Sequence, residues 1–151
     1  MAKVADILAV KGPAVVTIKP SETIAVLAQR LREKRIGAAV VSEDGTTFEG
    51  VISERDIAYG LSVHKDELHA MPVSALMTKA VITCSPEDDV GSVASTMLAR
   101  NIRHLPVEED KRLIGVISMR DVLNSRLDEL QRQTSMLRAF ANHAAGDPQD
   151  R

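Results

Sequence analysis

Aromatic side chains and cysteines are almost missing from this sequence of 151 residues. Phe48, Tyr59 and Phe140 are its only aromatic residues, tryptophan is absent, and Cys84 is the single cysteine. A stacking surface for single-stranded nucleic acid needs more aromatic rings than this, and an intramolecular disulfide needs a second thiol. Any nucleobase that this chain binds would therefore lie among aliphatic side chains.

The chain also lacks a strong net charge and a long apolar run. Its 19 basic and 21 acidic residues give a formal charge of −2, which provides no general attraction to nucleic acid or to an acidic membrane surface. No stretch resembles a signal peptide or a membrane-spanning segment. These features predict a soluble cytoplasmic protein that binds neither nucleic acid nor membrane.

Motifs for catalysis and for metal binding are absent too. The sequence has no Walker loop, GxGxxG turn or GxSxG elbow, and its four histidines lack paired ligand spacing. Cys84 is predicted to be a small buried strand residue rather than a nucleophile. The sequence therefore predicts no catalytic residue and no metal site, and the chain is not expected to be an enzyme.

An internal duplication organises the chain. The segment AVVTIKPSETI at Ala14–Ile24 returns as AVITCSPEDDV at Ala80–Val90, and GVISERDI at Gly50–Ile57 returns as GVISMRDV at Gly115–Val122. Six of the eight positions in the second pair are identical. Repeats of this kind indicate one structural unit used twice.

Each copy is predicted to form a strand, a helix, two further strands and a closing helix. Runs of β-branched residues indicate the first strands. Cap-like residues at Thr23 and Asp89 precede apolar residues spaced i, i+3, i+4 and i+7, which indicate amphipathic helices. These apolar positions are Ile24, Leu27, Ala28 and Leu31 in the first copy and Val90, Val93, Ala94 and Met97 in the second.

The predicted architecture is α/β (α+β), with two pseudo-symmetric βαββα repeats. Because one such unit leaves a sheet face uncovered, we expect the copies to pack sheet to sheet around one joint core. The boundaries that we predict are a first repeat at 1–62, a connector at 63–72, a second repeat at 73–127, a C-terminal helix at 128–141 and a flexible tail at 142–151.

The two GVISxRD segments resemble the Gly-x-x-Ser/Thr-x-x-Asp signature of cystathionine-β-synthase (CBS) domains, and the resemblance covers about residues 1–127. Such pairs, called Bateman modules, have two clefts between their sheets, and many bind AMP, ADP, ATP, NAD(H) or S-adenosylmethionine as regulatory ligands. The chain is similar to free-standing bacterial pairs, and Lys11-Gly12 resembles a feature of the subset associated with AMP or NAD(H). The resemblance implies an adenosine-containing ligand and no catalytic cofactor.

The motifs Ser53-x-x-Asp56 and Ser118-x-x-Asp121 have two interpretations. Each fits an acidic helix-capping box, in which the serine accepts an amide hydrogen bond and the acid reaches back. Alternatively, the aspartate accepts ribose hydroxyls while helix amides and the shared arginines, Arg55 and Arg120, face phosphate. Because capping alone gives little reason for the shared arginines, we predict ligand contact in at least one copy.

The copies differ most at the start of the second strand, where Gly37-Ala38-Ala39 corresponds to Arg103-His104-Leu105, followed by Pro106. In the family this stretch lines the cleft, which makes Arg103 and His104 candidate phosphate or ribose contacts, whereas Ala38 and Ala39 leave room for a base. The alternative for the Arg-His pair is a solvated strand start. We expect unequal clefts, with the second copy better suited to phosphate.

Five further residues complete the candidate binding site. Thr17 and Thr83 occupy matched positions in the first strands, where a hydroxyl either reaches phosphate or lies on a strand face. Val16 and Ile82 either wall the adenine or pack into the core. Lys11 either reaches phosphate or is solvated.

A long terminal helix is predicted after the second motif. Leu123, Leu127, Leu130, Thr134, Leu137 and Ala141 alternate by four and three residues, which is an imperfect heptad seam. The seam either folds back on its own module or crosses onto a second copy. We expect the second arrangement, in line with the homodimers of CBS pairs.

The resulting hypothesis is a regulatory sensor of an adenine nucleotide such as AMP, ATP or NAD(H). Ligand would change how the halves or subunits pack, and an unidentified target protein would respond. The rival from a different class is a ligand-free interaction or oligomerisation scaffold, whose serine-aspartate motifs serve only as helix caps. A third alternative, a small nucleotide-processing enzyme, lacks a base, nucleophile or metal constellation.

Overall fold

The computed structural model describes residues 1–12, 14–79 and 81–145. Within these ranges the chain forms two similar halves, and each half combines a small sheet with helices. The predicted mixture of helices and strands in a duplicated unit, with a C-terminal helix, is confirmed. The halves differ in their first strand and in the segment that precedes it.

The sheet of the first half has three strands. β1 (Thr17–Ile18) lies parallel to β2 (Ala38–Val41), and β2 pairs antiparallel with β3 (Gly50–Ser53). All four residues of β2 are buried, which is expected for the central strand of a covered sheet. The helices of this half that follow β1 and β3 are α2 (Ile24–Lys34) and α3 (Glu54–His64).

The sheet of the second half is a hairpin of β4 (His104–Glu109) and β5 (Arg112–Ser118), with α4 (Val90–Arg100) before it. The first strand expected at residues 81–83 is reduced to a single parallel bridge between Cys84 and Val107. Two backbone hydrogen bonds hold that bridge, with N···O distances of 3.0 and 2.9 Å. The second copy therefore keeps the pairing of its first strand in a shortened form.

The helices α2 and α4 begin where their sequences predict. The side chains of Thr23 and Asp89 accept hydrogen bonds from the amides of Val26 and Ser92, at 3.3 and 3.2 Å, and so cap α2 and α4. Both helices end at a residue with left-handed backbone, φ near 50°. The buried positions follow the predicted spacing except at its i+4 members: they are Ile24, Leu27 and Leu31 in α2 and Val90, Val93 and Met97 in α4.

The segment that precedes the first repeat packs on the second half. α1 (Val4–Lys11) inserts Val4 and Ile7 into the core formed by α4 and β5. The amide of Val4 donates to the carbonyl of Asp88 at 2.9 Å, and the amide of Val90 donates to the carbonyl of Ala2 at 3.0 Å. Burying two such aliphatic side chains contributes about 1.5–3 kcal/mol each to folding.

The segment that precedes the second repeat packs on the first half in the same way. The amide of Val73 donates to the carbonyl of Glu22 at 2.8 Å, and Val73 is fully buried against α2. We call residues 2–11 and 71–78 the leading segments. Because they exchange places, the described buried residues form two clusters, one in each half, instead of the single joint core that we expected.

The connection between the halves is helical rather than extended. α3 continues to His64, and a 3₁₀ turn at Lys65–Ala70 leads into a second 3₁₀ turn at Val73–Ala75. Leu68 of the first turn is buried in the core of the first half. The predicted connector at 63–72 is thus packed against the first repeat.

The C-terminal helix is continuous with the helix that closes the second repeat. α5 runs from Met119 to Ala145, so no break separates the segment predicted at 119–127 from that predicted at 128–141. The helix includes residues 142–145, where the sequence predicted the start of a frayed tail; residues 146–151 lie outside the described part. No helix in the described ranges is both long enough and apolar enough to cross a membrane.

Candidate functional site

The first serine-aspartate motif caps α3 at the boundary between the two halves. The carboxylate Oδ2 of Asp56 accepts hydrogen bonds from the amide and the hydroxyl of Ser53, at 2.8 and 3.0 Å, and Ser53 Oγ accepts from the Asp56 amide at 3.4 Å. This is the predicted capping box. The other carboxylate oxygen, Oδ1, has no protein hydrogen-bond donor among the described residues.

A cleft of about 250 Å³ lies beside this motif, and both halves line it. We call it the Asp56 cleft. The first half contributes the start of β2, β3 and the first turn of α3, while the second half contributes the end of α4, the start of β4 and the residues before Cys84. Its described lining is Gly37, Ala38, Val51, Ser53, Glu54, Arg55, Asp56, Thr78, Val81, Ile82, Asn101, Ile102, Arg103 and His104.

One wall of the Asp56 cleft is basic. Arg55 of the first half and Arg103 of the second both line it, and Arg55 Nη1 donates to the carbonyl of Asn101 at 3.2 Å. His104 is half-buried beside them. Burial lowers the pKa of His104 below its ordinary value, and the nearby charge of Lys11 lowers it further, so the imidazole is neutral at pH 7.

The cleft also has an aliphatic part. Ala38, Val51 and Ile82 line it, with no aromatic ring among the described lining residues. The small side chain of Ala38 leaves room that a larger residue would fill. The cleft therefore combines an apolar slot, two arginines and a carboxylate with one oxygen open to hydrogen-bond donors. These groups are suited to a base, an anion and a diol.

The second serine-aspartate motif has the same cap but different surroundings. The amide of Ser118 donates to Asp121 Oδ2 at 2.8 Å, and the amide of Asp121 donates to Ser118 Oγ at 3.1 Å. Lys11 Nζ also donates to Asp121 Oδ2, at 2.9 Å. Burial alone would raise the pKa of Asp121, but the hydrogen bonds from Lys11 and Ser118 together with the Lys11 charge hold it below its ordinary value.

The structure brings together many of the candidate residues but distributes them differently from our expectation. Arg103 and His104, which the sequence associated with the second motif, line the cleft of the first motif. Lys11, expected near phosphate, is paired with Asp121. Arg120, the counterpart of Arg55, is exposed on the first turn of α5.

Six other candidates lie outside the lining of the Asp56 cleft. Four of them pack in or against the cores: Ala39, Leu105 and Pro106 are buried, and Val16 packs against the core of the first half. The hydroxyl of Thr83 donates to Glu108 Oε2 at 3.2 Å, and the carbonyl of Thr17 accepts from Arg30 at 3.0 Å. Their proposed contacts with a ligand gain no support from these positions.

Several lining residues were missed in the sequence. Asn101 and Ile102 enter the cleft because α4 ends in a left-handed residue, and Asn at such a position is a common helix terminus rather than a recognisable binding motif. Thr78 reaches the cleft because its leading segment crosses to the other half, where it pairs with Val51. Glu54 follows the motif serine directly, but it occupies the one variable position within GVISxRD, where the second copy has Met119, so the shared motif gave no signal for it.

The described residues form neither a metal-binding cluster nor a reactive thiol. No group of three or more potential metal ligands occurs in the described ranges. Cys84 is buried as predicted, and burial raises the pKa of its thiol to about 12, so the thiolate is not formed near neutral pH.

Comparison with protein families gives two matches within the chain. A family model described as CBS domain matches residues 4–62 and again residues 73–128. Each match includes one of the two serine-aspartate motifs.

Solved structures share the fold along most of the chain. A CBS-domain containing protein from Agrobacterium tumefaciens is similar at 36% identity and a TM-score of 0.80, over 83% of this chain and 99% of that chain. A CBS domain protein from Pyrobaculum aerophilum, complexed with AMP, is similar at 32% identity and a TM-score of 0.70, over 80% and 89%. The CBS domain pair of protein MJ0100, in complex with 5-methylthioadenosine and S-adenosyl-L-methionine, is similar at 28% identity and a TM-score of 0.73, over 87% and 98%.

Curated relatives are longer than the matched region. Three of them, from Acidianus ambivalens, Methanopyrus kandleri and Arabidopsis thaliana, are 29–33% identical, and the chain spans 56–68% of their lengths.

Proposed function

The chain belongs to the CBS-domain family, and from this we propose that it is a regulatory module that binds an adenosine-containing ligand in the Asp56 cleft. The observation that carries the proposal is the convergence of three kinds of group in one cleft between the halves: the Asp56 carboxylate, the arginines Arg55 and Arg103, and an aliphatic slot. Two similar structures are complexes with AMP or with adenosine derivatives, which supports the same ligand class here.

Asp56 is the proposed ribose contact. Its Oδ2 is used by Ser53, whereas Oδ1 remains able to accept hydrogen bonds from the two hydroxyls of a ribose. An ionised carboxylate makes short, strong hydrogen bonds of this kind. The helix cap and the ligand contact are therefore compatible roles of one side chain.

The phosphate would lie against the basic wall. Arg55 sits in the first turn of α3, where the helix N-terminus also favours an anion. Arg103 approaches the same cleft from the second half. The neutral His104 beside them can donate or accept one hydrogen bond without adding charge.

The base would occupy the aliphatic slot between Ala38, Val51 and Ile82. The cleft volume of about 250 Å³ is slightly below the usual range of ligand sites, roughly 300–1,000 Å³, which favours a small ligand. AMP fits this size better than ATP or NAD(H), which would extend beyond the cleft.

A ligand bound here contacts both halves at once, which provides a mechanism for regulation. If two arrangements of the halves differ in how Asp56 and Arg103 face each other, the ligand favours the arrangement that lets it reach both. The free energy available for a response by a target protein equals the difference in ligand affinity between those arrangements.

A homodimer is the assembly that we propose for this module. The outer part of α5, which we define as residues 127–145, exposes apolar side chains along its length. They include Leu127, Leu130, Leu137 and Phe140, with exposed fractions of 54–80%. An apolar stripe on a helix this long is typical of an interface between copies.

Thermal unfolding with AMP, ATP, NADH and S-adenosylmethionine tests the proposed function. A ligand at 100 times its dissociation constant stabilises a protein by about 2.7 kcal/mol, which raises the melting temperature of a chain this size by roughly 5–10 °C. A ligand-free scaffold, the alternative, shows no shift with any of the four compounds. That result would contradict the proposal.

A further inference from the structure

The leading segment of the first repeat is longer than its counterpart. Leu8 packs over Gly115 in one half as Met77 packs over Gly50 in the other, which makes these two residues equivalent. Six residues then separate Leu8 from Val15, whereas three separate Met77 from Val81. The additional residues extend α1 by one turn, and that turn ends at Lys11.

The extra turn delivers a cation to the second motif. Lys11 Nζ donates to Asp121 Oδ2 at 2.9 Å and to the carbonyl of Val116 at 2.7 Å. In the first half the equivalent carbonyl, of Val51, accepts instead from the amide of Thr78 at 2.9 Å. Among the described residues, Asp56 therefore accepts hydrogen bonds only from the neutral donors of Ser53, whereas Asp121 also accepts one from a positively charged group.

We propose that Lys11 is an internal competitor for ligand at Asp121, so that the second motif does not bind a nucleotide and the chain binds one nucleotide, in the Asp56 cleft. This inference rests on the proposed function for the first site. A ribose that approached Asp121 would have to displace an ammonium group that already supplies hydrogen bonds and opposite charge to that carboxylate. Displacement would also leave the Val116 carbonyl without this donor.

The pair is placed to persist in water. The side chain of Asp121 is 19% exposed and that of Lys11 is 40% exposed, so the carboxylate of this ion pair is largely shielded from water while the ammonium group is partly exposed. The backbone at Lys11 is also fixed, because the amide of the next residue, Gly12, donates to the carbonyl of Leu8 at 2.9 Å. This bond fixes the backbone position from which the Lys11 side chain extends towards Asp121.

The test compares Lys11→Met with a matched control, Lys3→Met. Lys3 lies just before the same helix and pairs with Glu87, far along the helix from Asp121. Isothermal titration with AMP gives the stoichiometry, and carbon-detected NMR of the Asp121 carboxyl gives its pKa. The wild type and Lys3→Met should bind one AMP per chain, whereas Lys11→Met should bind a second AMP with affinity increased by about tenfold or more. The Asp121 pKa should rise in Lys11→Met only.

Each outcome distinguishes this inference from the proposed function. If the wild type binds one AMP and Lys11→Met gains none, Lys11 does not exclude ligand and the inference is wrong, while the function of the Asp56 cleft stands. A second outcome is that the wild type binds no AMP, Lys11→Met binds one AMP, and the double variant Lys11→Met/Asp121→Asn loses it again. In that case the inference stands and the proposed function of the Asp56 cleft fails. No binding by either protein, or an Asp121 pKa that is the same in both, overturns the inference.

Discussion

Arg55 and Asn101 join the two halves directly beside the cleft. The guanidinium Nη1 of Arg55, in the first turn of α3, donates to the carbonyl of Asn101 at the end of α4, at 3.2 Å. This hydrogen bond fixes where the positive charge lies relative to the second half. Arg55 is therefore placed to act both on a bound anion and on the relative position of the halves.

Replacing Arg55 should weaken ligand binding. Arg55→Met removes a charged donor from the phosphate side of the cleft, and we expect the affinity for AMP to fall by about tenfold or more. Arg120→Met is the matched control, since Arg120 occupies the same motif position but is exposed on α5. The affinity of this control variant for AMP should change less than about twofold. Isothermal titration measures both. Equal losses in the two variants would contradict the assignment.

The two motif aspartates should differ in their effect on binding. Asp56→Asn removes the carboxylate that accepts the ribose hydroxyls, so AMP binding should be lost, whereas Asp121→Asn should leave it nearly unchanged. Both variants keep a side chain of similar size at the helix cap, and each should unfold within about 1 kcal/mol of the wild type in urea. If Asp56→Asn binds AMP normally, its carboxylate serves only as a cap.

The glycine of each GVIS motif should respond differently to substitution. A Cβ at Gly50 would lie 2.7 Å from the backbone carbonyl of Thr78, whereas a Cβ at Gly115 would lie 2.6 Å from the end of the Leu8 side chain, which can rotate. We expect Gly50→Ala to lower the free energy of unfolding by about 2 kcal/mol and Gly115→Ala to lower it by less. Urea denaturation of the two variants decides the order, and the reverse order would show that the leading segments are placed incorrectly.

Acid should destabilise the protein partly through Asp121. Its pKa in the folded state is below the ordinary value, so its contribution is present above the unfolded pKa of about 3.9 and is lost as the pH falls through the folded pKa. Between pH 6 and pH 3 we expect Asp121→Asn to lose less stability than the wild type, by about 1 kcal/mol or less. Urea denaturation across this range measures the difference. Parallel pH curves for the two proteins would mean that Lys11 and Asp121 do not pair in solution.

The outer part of α5 should be required for dimerisation. Leu130→Asp places a charge in the apolar stripe and should convert a dimer into a monomer in sedimentation equilibrium. Leu98→Asp on α4 is the control, because Leu98 is equally apolar and 73% exposed but lies on another helix. A wild-type monomer, or a dimer that Leu130→Asp leaves intact, would contradict the proposed assembly.

The sequence predicted the features that depend on local patterns of side-chain types. The duplicated unit, the caps at Thr23 and Asp89 and the buried spacing of α2 and α4 all depend on local patterns, and all are found apart from the i+4 members of that spacing. The pairing of Ser53 with Asp56 belongs to the same class. Local periodicity and hydrogen-bonding side chains are sufficient for such features.

The exchange of the leading segments was not predictable in this way. Backbone hydrogen bonds such as Val4 to Asp88 and Val73 to Glu22 hold it, and backbone groups are the same in every sequence. The packing of the two halves decides which residues share a cleft, and it places Arg103 and His104 in the lining of the Asp56 cleft. The pairing of Lys11 with Asp121 was not predictable for a related reason: the two residues are 110 positions apart, and the extra turn has no counterpart in the other copy.

The exchanged leading segments also determine how the chain can be divided. A fragment that ended in the connection at 65–70 would keep α1 but lose the half on which α1 packs, and it would expose the groove that Val73 fills in the intact chain. Each fragment would therefore lack a piece of its own core and carry a piece of the other. Two such fragments should be stable only when they reassociate, so cutting the chain between its repeats would produce complementary pieces and not two independent domains.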